Sequence, residues 1–188
     1  MQNHTQLPTG LSFSYETERL ILRLPSTDYL REIHDFLYRN RSCFEKYEPT
    51  APENYYTLDF QQTLARCELK LALKLSSVRF YVFLKEDPST IIGTVCLHNI
   101  IKMPYFTSEV GYKFDASYQH HGYAREALSM ALSVGFYGLG LHKIFARCMP
   151  ENTPSRNLLH ATGFSRKELS ATVFSFRENG KITSATLS

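Results

Sequence analysis

Hydrophobic and polar residues alternate in the segment RLILRL, residues 19–24, so that Leu20, Leu22 and Leu24 lie on one side of an extended chain. A period of two is typical of a β-strand with one buried face. The pattern therefore predicts the first strand of the fold here. Residues 1–15 show no such period and are predicted to form a loose N-terminal arm.

Two helical segments follow this strand. The first repeats apolar residues at the spacing of one helix face, at Leu30, Ile33, Phe36 and Leu37, and fades near the segment RNRS. Ser26 or Thr27 is its expected N-cap, because a hydroxyl can accept a hydrogen bond from a free N–H of the first turn. The second segment, TLDFQQTLARCELKLALKLS, begins at Thr57 and shows the same spacing.

Three strands are predicted in the middle of the chain. RFYVFLKE (79–86) and TIIGTVCLHNI (90–100) are rich in β-branched and aromatic residues, and the short turn EDPS joins them, which indicates an antiparallel hairpin. TSEVGYKFD (107–115) is predicted to add the third strand of a meander.

The last third of the chain alternates helices and strands. The segment AREALSMALSVGFYGLG predicts a helix that Gly138 and Gly140 end, and the strand KIFARCM (143–149) follows it. Two final strands, 165–177 and 181–187, are predicted to pair across the turn ENG.

A short helix is predicted in ENTPSRNLLHATGF, between the strand over 143–149 and the final pair. Thr153 is its expected N-cap, Pro154 its first helical residue and Gly163 its end. No repeat, low-complexity segment or Pro/Gly/Ser-rich linker divides the chain, so residues 1–188 are predicted to form one domain.

Composition excludes several classes of protein. The 188 residues are 43% hydrophobic and 21% charged, as expected for one globular domain. The net charge of +3 favours anionic ligands slightly, and the basic residues form no stripe that predicts nucleic acid as a partner. No apolar run approaches the ~18 residues of a membrane span, and the N-terminus lacks the layout of a signal peptide, so a cytoplasmic protein is expected.

Cysteine and histidine spacing predicts no metal site. Cys43, Cys67, Cys96 and Cys148 are far apart and are interpreted as reduced core residues. The histidines show no spacing typical of metal ligands either.

The segment YQHHGYAREAL, residues 118–128, joins a predicted strand to a predicted helix. The backbone N–H groups of about residues 120 to 125 would lack intrahelical acceptors and face the positive end of the helix dipole, where anions bind. Gly122 and Ala124 would let a ligand approach the backbone closely. The segment matches neither a Walker loop nor G-x-G-x-x-G, and a turn that binds nothing remains the alternative.

Several segments together resemble one family. IIGTVCL, TSEVGYKFDASYQHHGYAREAL and HKIFARCMPENTPSRNLLHATGF, with ETERLILRLP at 16–25, are similar to the GNAT N-acetyltransferase superfamily, most of all to its RimJ/RimL type, which acetylates the N-termini of ribosomal proteins. The resemblance implies an α/β (α+β) GNAT fold, with a mixed, mostly antiparallel sheet of about seven strands and about four helices. It also implies acetyl-CoA as co-substrate and a primary amine as acceptor.

The resemblance assigns candidate residues for coenzyme binding. Gln119, Gly122 and Ala124 fill the three places of the family's glycine turn, whose backbone would hold the pyrophosphate. The strand edge at Val110, Gly111 and Tyr112 would bind the pantetheine arm and supply an N–H to the thioester carbonyl. The further residues assigned to the coenzyme are His120, His121, Tyr123, Arg125 and Asn152.

Glu109 and Ser155 are the candidate catalytic residues. Several branches of the family have a general base at the place of Glu109, and Ser155 is placed to face the departing thiolate. The alternatives are a solvated strand residue for Glu109 and an ordinary first-turn helix residue for Ser155.

The acceptor is left open by the sequence. Acceptor clefts of this fold are formed by the first two helices and the last hairpin, where this chain is least similar to the family, and the family's usual tryptophan-bearing ending is absent. A protein or peptide N-terminus is favoured by the resemblance, with a small-molecule amine or a non-catalytic acyl-CoA binder as alternatives. Neither nucleic acid nor a membrane is expected as a partner, and a homodimer is compatible with the family.

Overall fold

One mixed sheet of eight strands organises the part of the chain that the computed structural model describes, residues 10–46, 51–167 and 173–177. The strands lie in the order β1-β2-β3-β4-β5-β6-β8-β7. Their bounds are β1 Ser14–Glu16, β2 Leu20–Arg23, β3 Val78–Leu84, β4 Ile91–Ile101, β5 Thr107–Phe114, β6 Lys143–Arg147, β7 Ser165–Lys167 and β8 Val173–Arg177.

Five α-helices connect these strands within the described residues. They are α1 Leu30–Arg39, α2 Arg41–Phe44, α3 Leu58–Leu73, α4 Tyr123–Ser133 and α5 Thr153–Ala161. The hydroxyl of Ser26 caps the 3₁₀ turn that leads into α1, whereas the N-cap of α1 itself is Tyr29, so the predicted cap acts one turn before the helix. The hydroxyl of Thr57 caps α3, and the helical segment predicted from Thr57 is confirmed. The helix that begins as α4 continues as a π-helical segment, Val134–Gly138.

The two faces of the sheet carry two separate hydrophobic clusters, because side chains alternate across each strand. The larger cluster packs the sheet against α4 and α5, with Val82, Val95 and Val110 among its strand residues. The smaller cluster packs the opposite face against α1 and α3, around Phe36 and Phe83. A ligand that lies between two strands of the sheet could therefore be contacted by groups on either face of the sheet.

The central strands pair as the sequence predicts, with β3, β4 and β5 forming an antiparallel meander. Strand β6 then pairs parallel to β5, and the last matched residues of the two strands are Val110 and Ala146. Beyond that pair, Gly111 and Tyr112 keep their partners in β4 but have none in β6. We call the opening beyond Val110 and Ala146 the strand gap.

The predicted mixed and mostly antiparallel sheet is confirmed, but the prediction of a loose arm is wrong for residues 11–15. Leu11 is fully buried and Ser14–Glu16 pairs with β2. The prediction that all four cysteines are core residues is wrong for Cys67, which is exposed; all four are free.

Two predictions near the C-terminus are also wrong. The N-cap of α5 is Asn152, not Thr153, because the side chain of Asn152 accepts the N–H of Ser155. The single strand predicted over 165–177 is two antiparallel strands, β7 and β8, with Ser165 opposite Ser175. No glycine or proline marks the reversal in the sequence. The strand predicted over 181–187 lies outside the described residues.

Candidate active site

The glycine turn, residues 119–125, leads from the end of β5 into α4. Gly122 is the N-cap of α4 with a φ of 82°, and His120 has a φ of 64°. The left-handed conformation at Gly122 costs a glycine little, since it has no Cβ. Within the described part of the chain, no backbone N–H of residues 120–125 donates a hydrogen bond, and the first N–H to do so is that of Glu126, to the carbonyl of Gly122. This row of free donors at a helix N-terminus suits an anion.

Arg19, the residue directly before β2, stabilises this turn. Its Nη1 donates to the carbonyl of His121 over 3.0 Å, and its guanidinium lies 4.6 Å from the ring centre of Tyr123. Glu126 holds Arg19 in place, with Oε2 2.7 Å from the arginine Nη2. The carboxylate of Glu126 also accepts from Thr17. Burial raises the pKa of Glu126, but the hydrogen bonds from Thr17 and Arg19 together lower it by a larger amount. The pKa of Glu126 is therefore below its ordinary value.

Asp115 fixes the entry to the turn. Its buried carboxylate accepts hydrogen bonds from the side chains of Arg39 and Asn40 and from the backbone N–H of Ser117. The turn is therefore anchored at both ends: Asp115 ties its start to α1, and Arg19 ties its end to β2. Such anchoring holds the free N–H groups in one arrangement before a ligand binds.

Ser155 lies at the rim of the strand gap, on the α4/α5 face of the sheet. Its hydroxyl is 2.8 Å from the hydroxyl of Tyr112, which also lies 3.2 Å from the carbonyl of Ser155. The N–H of Ser155 donates to Oδ1 of Asn152 over 3.1 Å, so capping of α5 sets the position of the hydroxyl. Burial raises the pKa of Tyr112 to about 12, against the opposing effect of the hydrogen bond with Ser155. Tyr112 therefore stays protonated at neutral pH.

Cys148 contacts the same hydroxyl. Burial raises the pKa of its thiol above the ordinary value, although the hydrogen bond from Ser155 and the charge of Arg156 act in the opposite direction. Near neutral pH the thiol is therefore protonated, and Cys148 is not poised as a nucleophile.

Glu109 lies at the same level of the sheet on the opposite face. Its Oε1 is 3.0 Å from Nη2 of Arg147 and 3.4 Å from Nδ2 of Asn99, and the side chain is 19% exposed. Arg147 is 69% exposed, so water screens this ion pair strongly. The carboxylate can therefore exchange Arg147 for another cation at small cost.

His98 is directly opposite Glu109 in the ladder between β4 and β5. Its Nε2 lies 3.7 Å from the point where a Cβ of Gly111 would stand, so the imidazole covers the glycine at the strand gap. Burial lowers the pKa of His98, the charge of Glu109 raises it, and Arg79 and Arg147 lower it; the net shift is downward. The imidazole is therefore neutral near pH 7, with one ring nitrogen that can accept a hydrogen bond.

The structure brings most of the predicted site residues to one path across the protein. Val110, Gly111 and Tyr112 line the strand gap, with Glu109 on one face and Ser155 on the other. The glycine turn lies at the far end of β5. Gln119, His120, His121 and Arg125 are exposed on that turn, and Tyr123 and Ala124 are half-buried beside it.

Three residues at the site were not found from the sequence. His98 and Arg147 belong to no motif, and only the pairing of β4, β5 and β6 brings them to Glu109. Arg19 lies in the segment ETERLILRLP, whose resemblance to the family could have drawn attention to it.

Other kinds of site are not found in the described residues. They contain no group of His, Cys, Asp and Glu side chains able to hold a metal ion. Over those residues, each helix is too short or too polar to cross a bilayer.

Comparison with known proteins identifies the family. Residues 19–165 match the model of the acetyltransferase (GNAT) domain. The probable N-acetyltransferase YjcK of Bacillus subtilis is 30% identical over 143 residues, which are 76% of this chain and 75% of that protein. The [ribosomal protein uS5]-alanine N-acetyltransferase of Escherichia coli is 26% identical over 152 residues, 80% of this chain and 77% of that protein.

Solved structures agree with this result. The crystal structure of ribosomal-protein-S5-alanine acetyltransferase from Vibrio fischeri superposes with a TM-score of 0.80 at 27% identity, over 88% of this chain and 97% of that one. Residues 19–165, which match the family model, contain the glycine turn, the strand gap and the start of α5. The chain therefore belongs to the GNAT family of N-acetyltransferases, which use acetyl-CoA as the acetyl donor.

Proposed function

We propose that the protein transfers the acetyl group of acetyl-CoA to the α-amine at the N-terminus of a protein or peptide, by direct attack of the amine on the thioester. The observation that carries this proposal is the strand gap. A base candidate, Glu109, lies on one face of the sheet beside it, and a proton-donor candidate, Ser155, lies on the other. An acceptor and a coenzyme entering from opposite faces would meet between these groups.

The residues of the glycine turn would hold the coenzyme. The free N–H groups of residues 120–125 match the oxygens of a pyrophosphate, and Gly122 leaves room for close approach. Gly111 and Tyr112 lack a partner in β6, so an extended arm can pair with this edge in the manner of an added strand. Asn152 uses Oδ1 for the cap, which leaves its Nδ2 for the coenzyme arm.

Ser155 would protonate the sulfur as it leaves. A hydroxyl is a weak acid, so it donates effectively only if it recovers a proton at once. Tyr112 meets that need, because its hydroxyl is protonated and lies within hydrogen-bond distance of Ser155. The two hydroxyls therefore form a relay on the coenzyme side of the strand gap.

Glu109 would receive the proton of the attacking ammonium, directly or through His98. The α-amine of a peptide has a reference pKa of about 7.7 to 8.0, against about 10.4 for lysine, so a modest base is sufficient for an N-terminus. A half-buried carboxylate beside a neutral imidazole is such a base. The arrangement favours an α-amine over a lysine side chain.

The similar proteins support a protein acceptor. The relatives from Escherichia coli and Vibrio fischeri are named as acetyltransferases of an alanine in a ribosomal protein. We place the activity in the cytoplasm, in line with four free cysteines. A non-catalytic acyl-CoA binder and an acetyltransferase of small amines are the competing functions.

A panel of acceptors tests the proposal. Release of free thiol from acetyl-CoA is measured with peptides that carry a free N-terminus, with the same peptides blocked at the N-terminus, and with polyamines. We expect thiol release only with the free N-terminus. Release with polyamines alone would show a small-molecule enzyme, and binding of acetyl-CoA without release to any amine would show a non-catalytic binder.

A further inference from the structure

The sheet face beneath α1 and α3 changes from apolar to polar as it approaches the strand gap. At one end of this face, Phe83 and Ile91 belong to the hydrophobic cluster. Nearer the gap, two cross-strand rows carry mostly polar side chains: Arg79, Cys96 and Gly111 in one row, and Tyr81, Thr94 and Lys113 in the next. Buried polar side chains are costly unless they are hydrogen-bonded or serve a ligand.

A cavity of about 140 Å³ lies over these rows, between the sheet and the two helices. Apolar side chains of α1 and α3 line its upper side, and its polar lining comes from Glu68, Arg79, Tyr81, Thr94 and Lys113. It has room for several water molecules or one short side chain. We call it the polar cavity.

Arg79 is only partly engaged by its neighbours. Its Nε lies 2.5 Å from Oε1 of Glu68, and Nη1 makes a long contact of 3.4 Å with the hydroxyl of Thr94. Within the described part of the chain, Nη2 makes no hydrogen bond. An arginine whose Nη2 makes no hydrogen bond retains N–H donors that match the oxygens of a carboxylate.

Charged side chains of both signs line the polar cavity. Arg79 and Lys113 contribute two cations, and Glu68 is the one carboxylate among the lining residues that the structure describes. Burial lowers the pKa of Arg79, but the charge of Glu68, the hydrogen bond to Glu68 and the nearby Cys96 and Tyr81 together raise it above its ordinary value, so the guanidinium remains charged. An anionic group in the cavity would therefore meet favourable charge and free donors together.

The polar cavity is close enough to the strand gap to contact the acceptor. Arg79 and Gly111 belong to one row across β3, β4 and β5, so their Cα atoms are about 10 Å apart at the ordinary strand spacing. Gly111 places no side chain in this path. An extended peptide advances about 3.3 Å per residue. With an amine at the gap, a side chain of the first or second residue therefore reaches Arg79.

We propose that the polar cavity selects acceptors that carry a carboxylate within the first two residues from the reacting amine. This inference depends on the proposed function, since it assumes that the amine lies at the strand gap. Arg79 is the residue that binds the carboxylate, and Lys113 adds to the attraction at the same wall.

The test compares acidic with isosteric neutral acceptors. Four amidated peptides are used: Ala-Asp-Ala-Ala and Ala-Asn-Ala-Ala for the second position, and Asp-Ala-Ala-Ala and Asn-Ala-Ala-Ala for the first. Two quantities are measured, kcat/KM with acetyl-CoA and, without turnover, the Kd of each peptide for the CoA-saturated protein. We expect the aspartate peptide to be preferred at least ~10-fold at one of the positions, as charge-assisted hydrogen bonds allow.

Variants of the lining residues test whether the preference for aspartate peptides comes from the polar cavity. The double variant Arg79→Met with Glu68→Gln removes the guanidinium without changing the net charge and without leaving Glu68 as an unpaired buried carboxylate. Lys113→Met is a second variant that leaves the pair of Arg79 and Glu68 intact, in case the double variant does not fold. Lys85→Met removes the same charge at the far end of β3, where Lys85 pairs with Glu16. The double variant should reduce the preference to about 2-fold or less and Lys113→Met should reduce it by a smaller factor, whereas Lys85→Met should preserve it.

Two results overturn the inference. One is equal Kd for aspartate and asparagine peptides at both positions, and the other is a preference that survives in both cavity variants. Neither result affects the proposed function, which fails instead if no peptide amine is acetylated although acetyl-CoA binds. The Kd comparison still tests the cavity in that case, because it needs no turnover.

Discussion

The hydroxyl of Tyr112 on β5 lies 2.8 Å from the hydroxyl of Ser155 at the start of α5. This contact joins the strand that we propose to border the coenzyme to the helix that supplies the proposed acid. Tyr112→Phe removes the second hydroxyl of the relay and should lower kcat by about 10-fold, with little change in acetyl-CoA affinity. High pH should not restore the loss, since the missing group donates a proton. Steady-state kinetics against pH measure the effect.

Ser155→Ala is the matched comparison for this variant. If the two hydroxyls act as one relay, the double variant should be hardly slower than Ser155→Ala alone, because coupled groups are not additive. A Tyr112→Phe enzyme with wild-type kcat would show that the tyrosine only packs against α5.

The carboxylate of Glu109 has two possible roles, as a general base and as the partner of Arg147 in an ion pair, and variants of the two residues separate these roles. If Glu109 is the base, Glu109→Gln should lower kcat/KM by ~100-fold near neutral pH and leave acetyl-CoA affinity unchanged. The loss should shrink as rising pH deprotonates the α-amine without assistance. Arg147→Met breaks the same ion pair but keeps the carboxylate, so its kcat/KM should be at least that of the wild type. An equal loss of kcat/KM in the two variants would mean that the activity needs the ion pair and that Glu109 is not the base.

His98 makes stability depend on pH in a defined direction. Burial lowers its pKa below the ordinary value of 6.5, with Glu109 opposing this shift and Arg79 and Arg147 adding to it. The unfolded chain then binds a proton more readily than the folded protein. Stability from the neutral ring is therefore fully present above about pH 6.5 and is lost as the pH falls through 6.5 and then through the folded pKa.

Urea denaturation between about pH 8 and about pH 5 measures this contribution in the wild type and in His98→Gln. The variant should lose less free energy of unfolding over that range than the wild type. Identical pH dependence in the two proteins would show that His98 titrates normally.

Gly122 and Gly140 form a matched pair for testing the glycine turn. Both have positive φ, 82° and 67°, but a Cβ at Gly122 would lie 3.4 Å from Nη2 of Arg19, whereas nothing lies within 4 Å of one at Gly140. Asparagine tolerates this conformation better than other residues with a Cβ. Gly122→Asn should therefore fold but bind acetyl-CoA about 10-fold more weakly, and Gly140→Asn should bind it normally. Isothermal titration gives both affinities, and unchanged binding in Gly122→Asn would indicate a turn that holds no phosphate.

Local sequence patterns were sufficient for most elements and for the glycine turn. The alternation at Leu20 and Leu22 and the start of the helical segment at Thr57 are local signals, and both appear in the structure as predicted. The reversal between β7 and β8 was missed because no glycine or proline marks it. Thr153 was predicted as the cap in place of Asn152 because both residue types are good caps, and only the backbone geometry distinguishes them.

The remainder of the site depends on contacts between residues distant in sequence. His98 and Arg147 reach Glu109 through strand pairing, and Tyr112 reaches Ser155 through the packing of α5 on the sheet. Register and packing of this kind are not encoded in any short segment. The predicted roles of Glu109 and Ser155 remain to be tested by the variants above.

The most direct test of the central claim is to identify the acetylated atom. The protein is incubated with acetyl-CoA and a peptide that has one free α-amine and one internal lysine, and the product is sequenced by tandem mass spectrometry. We predict one acetyl group per peptide, on the α-amine, in an amount equal to the thiol released. Acetylation confined to the lysine, or no acetylated peptide from a protein that binds acetyl-CoA, would contradict the account.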